Sequence, residues 1–503
     1  MSQQAACLAV LGTGSDVGKS IVTTALCRIF ADRGLRVAPF KAQNMSNNSG
    51  VTPEGLEMGR AQIVQAEAAR IAPHTDMNPV LLKPVSDVGS QVVLNGRAWM
   101  DASSQTYYTK KEYLFTESCA ALDRLRAAND LLIMEGAGSC AEVNLMANDI
   151  VNLRAAAYAQ APVILVADID RGGVFAQIAG TLACLNPEQQ DQIKGFVINR
   201  FRGDIALFQN GIDWIRERTG KPVFGVLPWF KHFQIEAEDS VVIENTPSCN
   251  LGDSTEPAIA VIRLPHISNF TDFDPLTKLE GVRLVYLQKP QSLAGCRAVI
   301  LPGSKSTCSD LEWLRTSGWE QCLGEYLASG GHILGICGGY QMLGQQVEDP
   351  DGIEGPPGST PGLGLLPVTT VLKAPKTTTL TDFSWDGSPG RGYEIHMGQT
   401  KPPENRGLMT VVGRNGTGCT GTDGCWSEDG RVIGTYMHGL FDTPAITRHW
   451  LAGIGLGHIA VSAIHGPAAR DQAYAMLAEH ALKHLDIEGI RRLLPAWLQE
   501  AMA

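Results

Sequence analysis

Short apolar runs alternate with amphipathic stretches along the first half of the chain, which is the pattern of strands joined by helices. A strand is predicted at residues 8–11 and a helix at residues 21–33. The run at residues 163–170 is apolar until its two final aspartates, as in a buried parallel strand. Further strands are predicted at residues 37–41, 131–138, 196–200 and 223–228. The alternation predicts a doubly wound, parallel-sheet α/β domain over residues 1–235.

The alternation resumes after a polar stretch. Residues 236–256 show no period and are predicted to be a linker. A second doubly wound α/β domain is predicted over residues 257–450, with strands that include residues 258–263, 332–334 and 432–436. The remaining residues, 451–503, are predicted to form a helical extension. Apolar residues recur at helical spacing over residues 471–494, so we expect this extension to pack on the second domain.

Composition narrows the class of protein. The chain has 503 residues, of which 44% are hydrophobic and 18% are charged, as in a globular enzyme of several domains. A net charge of −11 argues against a nucleic-acid partner. No apolar run reaches the ~18 residues of a membrane span. Twelve cysteines without metal-binding spacing, and no basic leader before the first strand, predict reduced thiols in a cytoplasmic protein. The oligomeric state is left open.

A glycine-rich loop follows the first predicted strand. It has the sequence GTGSDVGKS over residues 12–20 and leads directly into a predicted helix. Such a loop lets backbone N–H groups converge on phosphate oxygens at the helix N-terminus. The usual form has four residues between its glycines, whereas here the first glycine lies one position earlier. We expect Lys19 to reach the β- and γ-phosphates of ATP and the Ser20 hydroxyl to bind Mg²⁺. The predicted ATP-binding residues of the loop are Gly12, Thr13, Gly14, Asp16, Gly18, Lys19 and Ser20.

Polar side chains end several of the other predicted strands, and the carboxyl ends of parallel strands form the edge where ligands bind. Glu135 is therefore predicted to hold Mg²⁺ together with Ser20, and Lys41 to contact the phosphoryl group in transfer. Nearby cations either form a pocket for an anionic substrate or are scattered over the surface. These cations are Lys41, Lys83, Arg171, Arg200 and Arg202.

A cysteine between glycines marks a second candidate site. Cys337 lies in the sequence GICGG, directly after the predicted strand at residues 332–334, which is typical of a nucleophile elbow. A helix beginning at the next residues would favour thiolate over thiol. His438 follows the strand at residues 432–436 and can act as the base that deprotonates Cys337. The alternative is a buried structural cysteine and an unrelated histidine.

The Cys337 and His438 segments resemble the class I glutamine amidotransferases, which release ammonia from glutamine through a cysteine thioester. The resemblance implies an oxyanion hole formed by backbone N–H groups of Gly303 and Gly338. Most of that class carries a glutamate two residues after the histidine, whereas this chain has Leu440 there. Either another group orients His438, or the site works as a dyad. His396 either is structural or helps to orient the site.

The N-terminal half resembles dethiobiotin synthetase and its relatives, which use ATP to activate a carboxylate. That resemblance implies that Asn199 contacts the adenine. Arg171, which lies near a predicted strand end, is expected to contact the phosphoryl group or the substrate. Residues 40–48, 78–84, 168–175 and 392–398 resemble the cobyric acid synthase family, and the resemblance extends over about residues 5–485.

The family resemblance implies that ATP and glutamine are used to amidate the b, d, e and g carboxylates of adenosylcobyrinic acid a,c-diamide, a corrinoid, in cobalamin biosynthesis. Free ammonia is mostly protonated at neutral pH, so a sheltered path between the two sites is expected. The alternatives are a cobyrinic acid a,c-diamide synthase, another glutamine-dependent amide ligase, or a partitioning-type ATPase with an inactive amidotransferase domain.

Overall fold

A computed structural model describes residues 4–86, 89–230, 251 and 256–501 of the chain. It contains two large parallel-dominated sheets, one built from each half of the sequence. The linker predicted over residues 236–256 lies outside the described residues except for Leu251 and Glu256. The domain boundaries therefore stay predictions.

The first sheet comes from the N-terminal half, and its described strands are all parallel. The strand Ala6–Gly12 lies at its centre, between Val163–Asp168 and Leu131–Glu135. The loop that follows this strand therefore emerges in the middle of the carboxyl edge of the sheet. In spatial order the strands are Val223–Pro228, Ile193–Phe201, Val163–Asp168, Ala6–Gly12, Leu131–Glu135 and Val37–Phe40.

Both faces of the first sheet are buried. Side chains alternate along a strand, so Leu8 and Val10 lie in one hydrophobic cluster while Ala9 and Leu11 lie in another. The helix Lys19–Asp32 covers the Leu8 face through Leu26, Ile29 and Phe30. Helices on both faces of a parallel sheet make the doubly wound α/β arrangement, which confirms the predicted fold class.

The second sheet is likewise mostly parallel. The strand Ile333–Ile336 lies beside Val432–Thr435, which places Cys337 and the segment before His438 at the same carboxyl edge. Only the last pair in the sheet, Cys425–Trp426 with Val432–Thr435, is antiparallel among the described strands. In spatial order the strands are Arg283–Leu287, Ala258–Ile262, Cys296–Leu301, Ile333–Ile336, Val432–Thr435 and Cys425–Trp426.

Smaller sheets lie beside the two large ones. A four-stranded sheet comprises Gln43–Met45, Val80–Ser86, Gly89–Leu94 and Arg97–Ser103, and a hairpin pairs Ser49–Val51 with Glu57–Gly59. Ile267–Ser268 pairs with Gly303–Ser304. A mainly antiparallel sheet comprises Gly358–Pro361, Gln346–Asp349, Thr369–Trp385, Ser388–Thr400, Met409–Arg414 and Thr417–Asp423.

The described helices range from single turns to the 25 residues of Ser104–Ala128. None of them is both long enough and apolar enough to cross a bilayer. The other α-helices are Arg60–Ala68, Leu153–Tyr158, Val174–Cys184, Pro187–Gln192, Gln209–Thr219, Asp274–Thr277, Thr307–Thr316, Trp319–Ala328, Gly338–Leu343, Pro444–Gly453, Gly466–His484, Ile487–Arg491 and Ala496–Ala501, together with Lys19–Asp32.

The C-terminal helices return to the first domain, so the expectation that they pack on the second domain is wrong. Leu477, Ala481 and Leu485 lie in the same hydrophobic cluster as Leu8 and Phe30. Asp471 accepts a hydrogen bond from Arg28 at 2.6 Å. Helical spacing identifies which residues of a helix are buried, but it does not identify the surface that buries them.

Candidate active site

Cys337 occupies a sharp turn between a strand and a helix. The strand Ile333–Ile336 ends immediately before it, and the helix Gly338–Leu343 begins immediately after it. The backbone of Cys337 has φ 53° and ψ −108°, a conformation that a residue with a side chain rarely adopts. A side chain on Gly339 would collide with the backbone of Leu301. This turn holds the thiol at the carboxyl edge of the second sheet, as a nucleophile elbow does.

His438 is fully buried beside Asp272. Its Nδ1 lies 2.7 Å from Oδ2 of Asp272, while the backbone N–H of Gly439 donates to Oδ1 at 2.9 Å. Burial lowers the pKa of His438, but the charges of Asp272 and Cys337 outweigh it and raise the pKa to about 10. Asp272 therefore orients the imidazole and stabilises its protonated form.

Asp272, which stands 166 positions before His438, is not among the residues predicted from the sequence. It lies in the short 3₁₀ turn Phe270–Phe273, which follows the strand Ala258–Ile262. The rule that ligands gather at the carboxyl ends of parallel strands applies to this strand too. Applied to the second domain, that rule would have selected the Asp272 segment. The alternative of a dyad without an orienting group is therefore set aside.

Two further residues fix the imidazole of His438. The ring of Tyr393 stacks on it with 5.1 Å between centroids. Nδ2 of Asn269 lies 3.3 Å from Nε2 of His438. The thiol of Cys337 donates to the backbone carbonyl of Ile395 at 3.5 Å. A hydrogen bond between Cys337 and His438 also helps to raise the pKa of the histidine, so the two side chains lie together, buried against the strand Ser388–Thr400.

The two glycines predicted for the oxyanion hole lie beside this pair. A Cβ atom on Gly303 would lie 3.4 Å from Cε1 of His438, and one on Gly338 would lie 2.7 Å from the backbone nitrogen of Ser304. Gly338 is also the first residue of a helix, where backbone N–H groups have no partner within the helix. The structure brings both glycines to the site, and their role as donors stays a prediction.

His396 belongs to a neighbouring set of contacts. Its Nδ1 lies 2.7 Å from the backbone carbonyl of Gly398, and its Nε2 lies 3.4 Å from Glu394. Its ring stacks on Tyr436 with 3.7 Å between centroids. Of the two alternatives for His396, these contacts favour the structural one.

The glycine-rich loop wraps around Lys19 in the first domain. The ammonium group of Lys19 donates to the carbonyl of Gly14 at 2.8 Å and to that of Gly138 at 3.0 Å. Gly18 has φ 98°, and a side chain there would collide with Asn199. Asn199 donates from Nδ2 to the backbone carbonyl of Val17 at 2.9 Å, and this hydrogen bond helps to hold the glycine-rich loop in place. Its contact with adenine stays a prediction.

Glu135 lies at the centre of the predicted metal site. Its Oε1 accepts hydrogen bonds from the Ser20 hydroxyl at 3.0 Å and from Lys41 at 2.9 Å, and its Oε2 accepts one from Gln65. The side-chain carbonyl oxygen of Gln65 is buried and has no hydrogen-bond partner among the described residues. Hydroxyl, carboxylate and amide oxygens are ligands that Mg²⁺ prefers, so these residues fit the ion.

Within the described ranges, no three His, Cys, Asp or Glu side chains form a metal cluster. An ion at Ser20 and Glu135 would therefore need nucleotide or water oxygens to complete its coordination, as Mg²⁺ in phosphoryl-transfer sites commonly does.

The predicted basic residues do not form one pocket. Arg200 contacts Asp16 and Asp168, each at 2.9 Å, and Arg202 contacts Asp170 at 2.5 Å. Arg171 lies 3.4 Å from Asp16 with 73% of its side chain exposed. Lys83 pairs with Glu57 at the boundary between the domains. Of the five cations, Lys41 alone lines the cavity described next.

A cavity of about 450 Å³ opens above the glycine-rich loop. Lys19 and Lys41 line it on one side, and a row of amide side chains lines it on another. Ile267 and Phe270, from the segment that leads to Asp272, also border it. The cavity therefore reaches from the phosphate-binding loop to the second domain. The row consists of Gln43, Asn44, Asn47 and Asn48, and a further amide side chain, that of Asn152, also lines the cavity.

Comparison with known proteins matches both halves of the chain. Residues 8–242 match the model of the CobQ/CobB/MinD/ParA nucleotide binding domain, and residues 258–446 match the CobB/CobQ-like glutamine amidotransferase domain. A cobyric acid synthase of Chlorobium phaeobacteroides is 52% identical, covering 97% of this chain and 99% of the relative. One of Chlorobaculum tepidum is 50% identical, covering 96% of each chain. One of Chloroflexus aurantiacus is 46% identical, covering 98% of this chain and 99% of the relative.

Among solved structures, a glutamine amidotransferase is 20% identical and covers 39% of this chain and 98% of its own, with a TM-score of 0.31. A likeness at that score adds nothing to the assignment.

Proposed function

The chain belongs to the cobyric acid synthase family, and from that premise we propose that it amidates the b, d, e and g carboxylates of adenosylcobyrinic acid a,c-diamide. It is a glutamine-dependent, amide-forming ligase with a nucleotide-binding domain. Glutamine supplies the nitrogen, and the nucleotide is ATP. Cytoplasmic location and the absence of a nucleic-acid partner stay predictions from composition.

One observation carries the proposal: a single chain combines a phosphate-binding loop with a cysteine–histidine–aspartate triad, and one cavity extends between the two domains. The loop residue Lys19 and the second-domain residue Phe270 border the same space. Cys337 and His438 do not line this cavity, but Ile267 and Phe270 do, and they lie within two residues of Asn269, whose side chain contacts His438. We infer that ammonia passes from Cys337 by way of this segment to a carboxylate held above the loop. This arrangement is what the coupling of glutamine hydrolysis to amide formation requires.

The glutamine half of the reaction uses Cys337, His438 and Asp272. His438 takes the thiol proton, and the thiolate attacks the side-chain carbonyl carbon of glutamine. Backbone N–H groups of Gly303 and Gly338 stabilise the oxyanion of the tetrahedral intermediate. Protonated His438 then gives its proton to the departing nitrogen, which leaves as ammonia. Water hydrolyses the remaining thioester to glutamate and restores the thiol.

The activation half uses the first domain. The substrate carboxylate attacks the γ-phosphorus of ATP, and the bond from this phosphorus to the β–γ bridging oxygen breaks. The products are an acyl phosphate and ADP. Lys19 stabilises the charge on the transferring group, and Lys41 lies beside it with Glu135 as its counter-ion. Ser20 and Glu135 would hold Mg²⁺, which neutralises phosphate charge when bound. Arg171 does not line the cavity, and its contact with phosphate or substrate stays a prediction.

Ammonia then attacks the acyl phosphate carbon, phosphate leaves, and an amide remains. The experiment is mass spectrometry of the corrinoid after incubation with ATP, Mg²⁺ and glutamine labelled in its amide nitrogen. We expect a ladder of four products, each with one more labelled amide. Amidation of cobyrinic acid at the a and c positions, with no reaction of the a,c-diamide, would overturn the proposal.

A further inference from the structure

Two large apolar residues border the opening of the cavity above the glycine-rich loop. Met45 ends the strand Gln43–Met45 and is 51% exposed, and Leu145, from the segment that follows Leu131–Glu135, is 40% exposed. Both residues line the cavity. A lining residue that is also exposed lies where the cavity meets solvent, so Met45 and Leu145 together form an apolar rim at the opening.

The charges that line this cavity balance one another. Three lysines and three acidic residues contribute to the lining, so net charge alone does not attract a polycarboxylate to it. Much of the affinity for such a ligand must therefore come from apolar contact and from hydrogen bonds to the row of amides. The charged lining residues are Lys19, Lys41, Lys111, Asp16, Glu142 and Asp149.

The size of the cavity limits what it can enclose. Its volume is about 450 Å³, whereas a single drug-sized ligand occupies a site of ~300–1,000 Å³. The cavity therefore cannot enclose a nucleotide and a whole corrin ring together. A corrinoid substrate has to keep its ring at the opening and insert one carboxylate-bearing side chain towards the loop.

On the premise of the proposed function, we propose that the apolar rim binds a face of the corrin ring across the opening, and that Lys111 pairs with a ring carboxylate that is not reacting. The corrin macrocycle is apolar and carries its carboxylates and amides around its edge. A ring on Met45 and Leu145 leaves one edge carboxylate free to enter the cavity. The row of amides can donate to a carboxylate, and it can donate to or accept from an amide.

Lys111 is the lining lysine that a second carboxylate can engage most readily. It belongs to the helix Ser104–Ala128, and its ammonium lies 5.0 Å from the ring centroid of Tyr108, rather than in an ion pair among the described residues. Burial lowers the pKa of Lys111, although the charge of Asp149 acts in the opposite direction. A substrate carboxylate would stabilise the charged form of this lysine further.

The apolar rim also suits a substrate that reacts at four positions. Apolar contact is non-directional, so Met45 and Leu145 can hold the ring in more than one rotational position. One activation site can then receive each of the four carboxylates. A change at the rim should therefore slow all four amidations by a similar factor when the corrinoid is below saturation.

The test measures binding of the a,c-diamide and of its tetra-amidated product by equilibrium dialysis without ATP. We expect Met45→Ser and Leu145→Ser each to raise the Kd of both corrinoids about fivefold, because both ligands have the ring. Lys111→Gln should raise the Kd of the diamide about fivefold and that of the product less than about twofold, because the product has lost the b, d, e and g carboxylates. The Kd of ATP, measured separately, should stay at the wild-type value in all three variants.

The matched controls are Val143→Ser and Lys110→Gln. Val143 is 64% exposed in the same segment as Leu145, and Lys110 is the exposed neighbour of Lys111, but neither lines the cavity. Both controls should bind the two corrinoids as the wild type does.

Three results would overturn the proposal. Wild-type affinity for both corrinoids in the two serine variants removes the rim from the corrinoid site, and a loss of ATP affinity in them assigns the rim to the nucleotide. An equal loss for diamide and product in Lys111→Gln removes the carboxylate pairing. The wild type still amidates the a,c-diamide in each of these cases, whereas failure of the proposed function abolishes that reaction.

Discussion

Oδ2 of Asp272 lies 2.7 Å from Nδ1 of His438, although 166 positions separate the two residues in the chain. The carboxylate is itself held by the backbone N–H of Gly439, the residue that follows the histidine. Both hydrogen bonds fix the carboxylate relative to the ring, so Nε2 points away from Asp272 and towards the thiol pocket. Asp272 thus orients the imidazole of His438, which the aliphatic side chain of Leu440 cannot do.

Replacing Asp272 by asparagine should abolish most glutamine hydrolysis and leave carboxylate activation in the first domain unchanged. Without the carboxylate, burial lowers the pKa of His438, and the imidazolium that accompanies the thiolate becomes less stable. We expect glutamate release to fall by about 10²–10⁴-fold, as for other triads that lose their orienting carboxylate. Amidation with ammonium salts should stay near the wild-type rate. Asp274→Asn is the matched control, and equal losses with glutamine and ammonia would contradict the triad.

Replacing Cys337 by alanine should separate the two sites completely. The thiol makes the covalent bond to glutamine, whereas ammonia from solution can replace what it delivers. Glutamine-dependent amidation should be lost, and high ammonium at raised pH should restore product. Cys419→Ala, an exposed cysteine of the same domain, should change neither reaction. Continued glutamine use by Cys337→Ala would show that another nucleophile operates.

Replacing Lys19 by alanine should abolish both reactions. The ammonium group anchors the loop through Gly14 and Gly138 and faces the place where the phosphates bind. Because carboxylate activation precedes attack by ammonia from either source, we expect a loss above about 100-fold with glutamine and with ammonium alike. ADP release measures this step directly. The surface variant Lys194→Ala should retain full activity, and a Lys19→Ala enzyme that still forms amide would remove the loop from the mechanism.

The central strands, the phosphate-binding loop and the nucleophile elbow could be predicted from the sequence, because apolar runs and glycine spacing are local properties. The loop residue Gly18 and the elbow residue Cys337 both have positive φ, and each turn lies at the strand end where the pattern placed it. The rule for strand ends selects the segment after Ala258–Ile262, but no local motif singles out Asp272 within it. Folding alone brings Asn269 beside both Ser49 of the first domain and His438 of the second.

Charge patterns were a poorer guide than strand patterns. Arg200, Arg202 and Lys83 appeared as candidates for one anion pocket, yet Arg200 and Arg202 pair with neighbouring aspartates of the first domain, whereas Lys83 pairs with Glu57 at the domain boundary. Sequence position does not reveal which acid a long, flexible cation will reach. Likewise, the periodicity of the C-terminal helix identified Leu477 and Leu485 as buried, but it wrongly included Leu482, which is 48% exposed, and it did not reveal the domain that covers the helix.

Replacing Leu477 by alanine should destabilise the first domain. The side chain is 2% exposed in the cluster that joins the C-terminal helix to the central strand. Loss of a buried leucine side chain typically lowers the free energy of unfolding by about 2–5 kcal/mol. Chemical denaturation, monitored through the loss of nucleotide binding, measures the unfolding of this domain. Leu482→Ala, on the same helix but 48% exposed, should change the free energy of unfolding by less than about 0.5 kcal/mol.

Glu57 is the buried carboxylate at the domain boundary, and it joins the first domain to the second. Oε1 accepts from Lys83 at 2.7 Å, and Oε2 accepts from Lys376 of the second domain at 2.7 Å. Burial would raise the pKa of Glu57, but the two ammonium groups outweigh it and hold the pKa well below its usual range. Burial lowers the pKa of Lys83 to about 8 in spite of Glu57, so this lysine depends on the carboxylate to stay charged.

Glu57→Gln should therefore lower the stability of the domain contact by about 3 kcal/mol near neutral pH, as expected when a buried ion pair loses one partner. A carboxylate whose pKa is depressed by folding contributes stability above its unfolded pKa, and that contribution is lost as pH falls. The difference in denaturation midpoint between wild type and Glu57→Gln should hold above about pH 4.5 and shrink below it. Glu54→Gln, an exposed neighbour, should show no such difference. A wild-type advantage that persists unchanged to low pH would mean that the charge of Glu57 does not stabilise the contact.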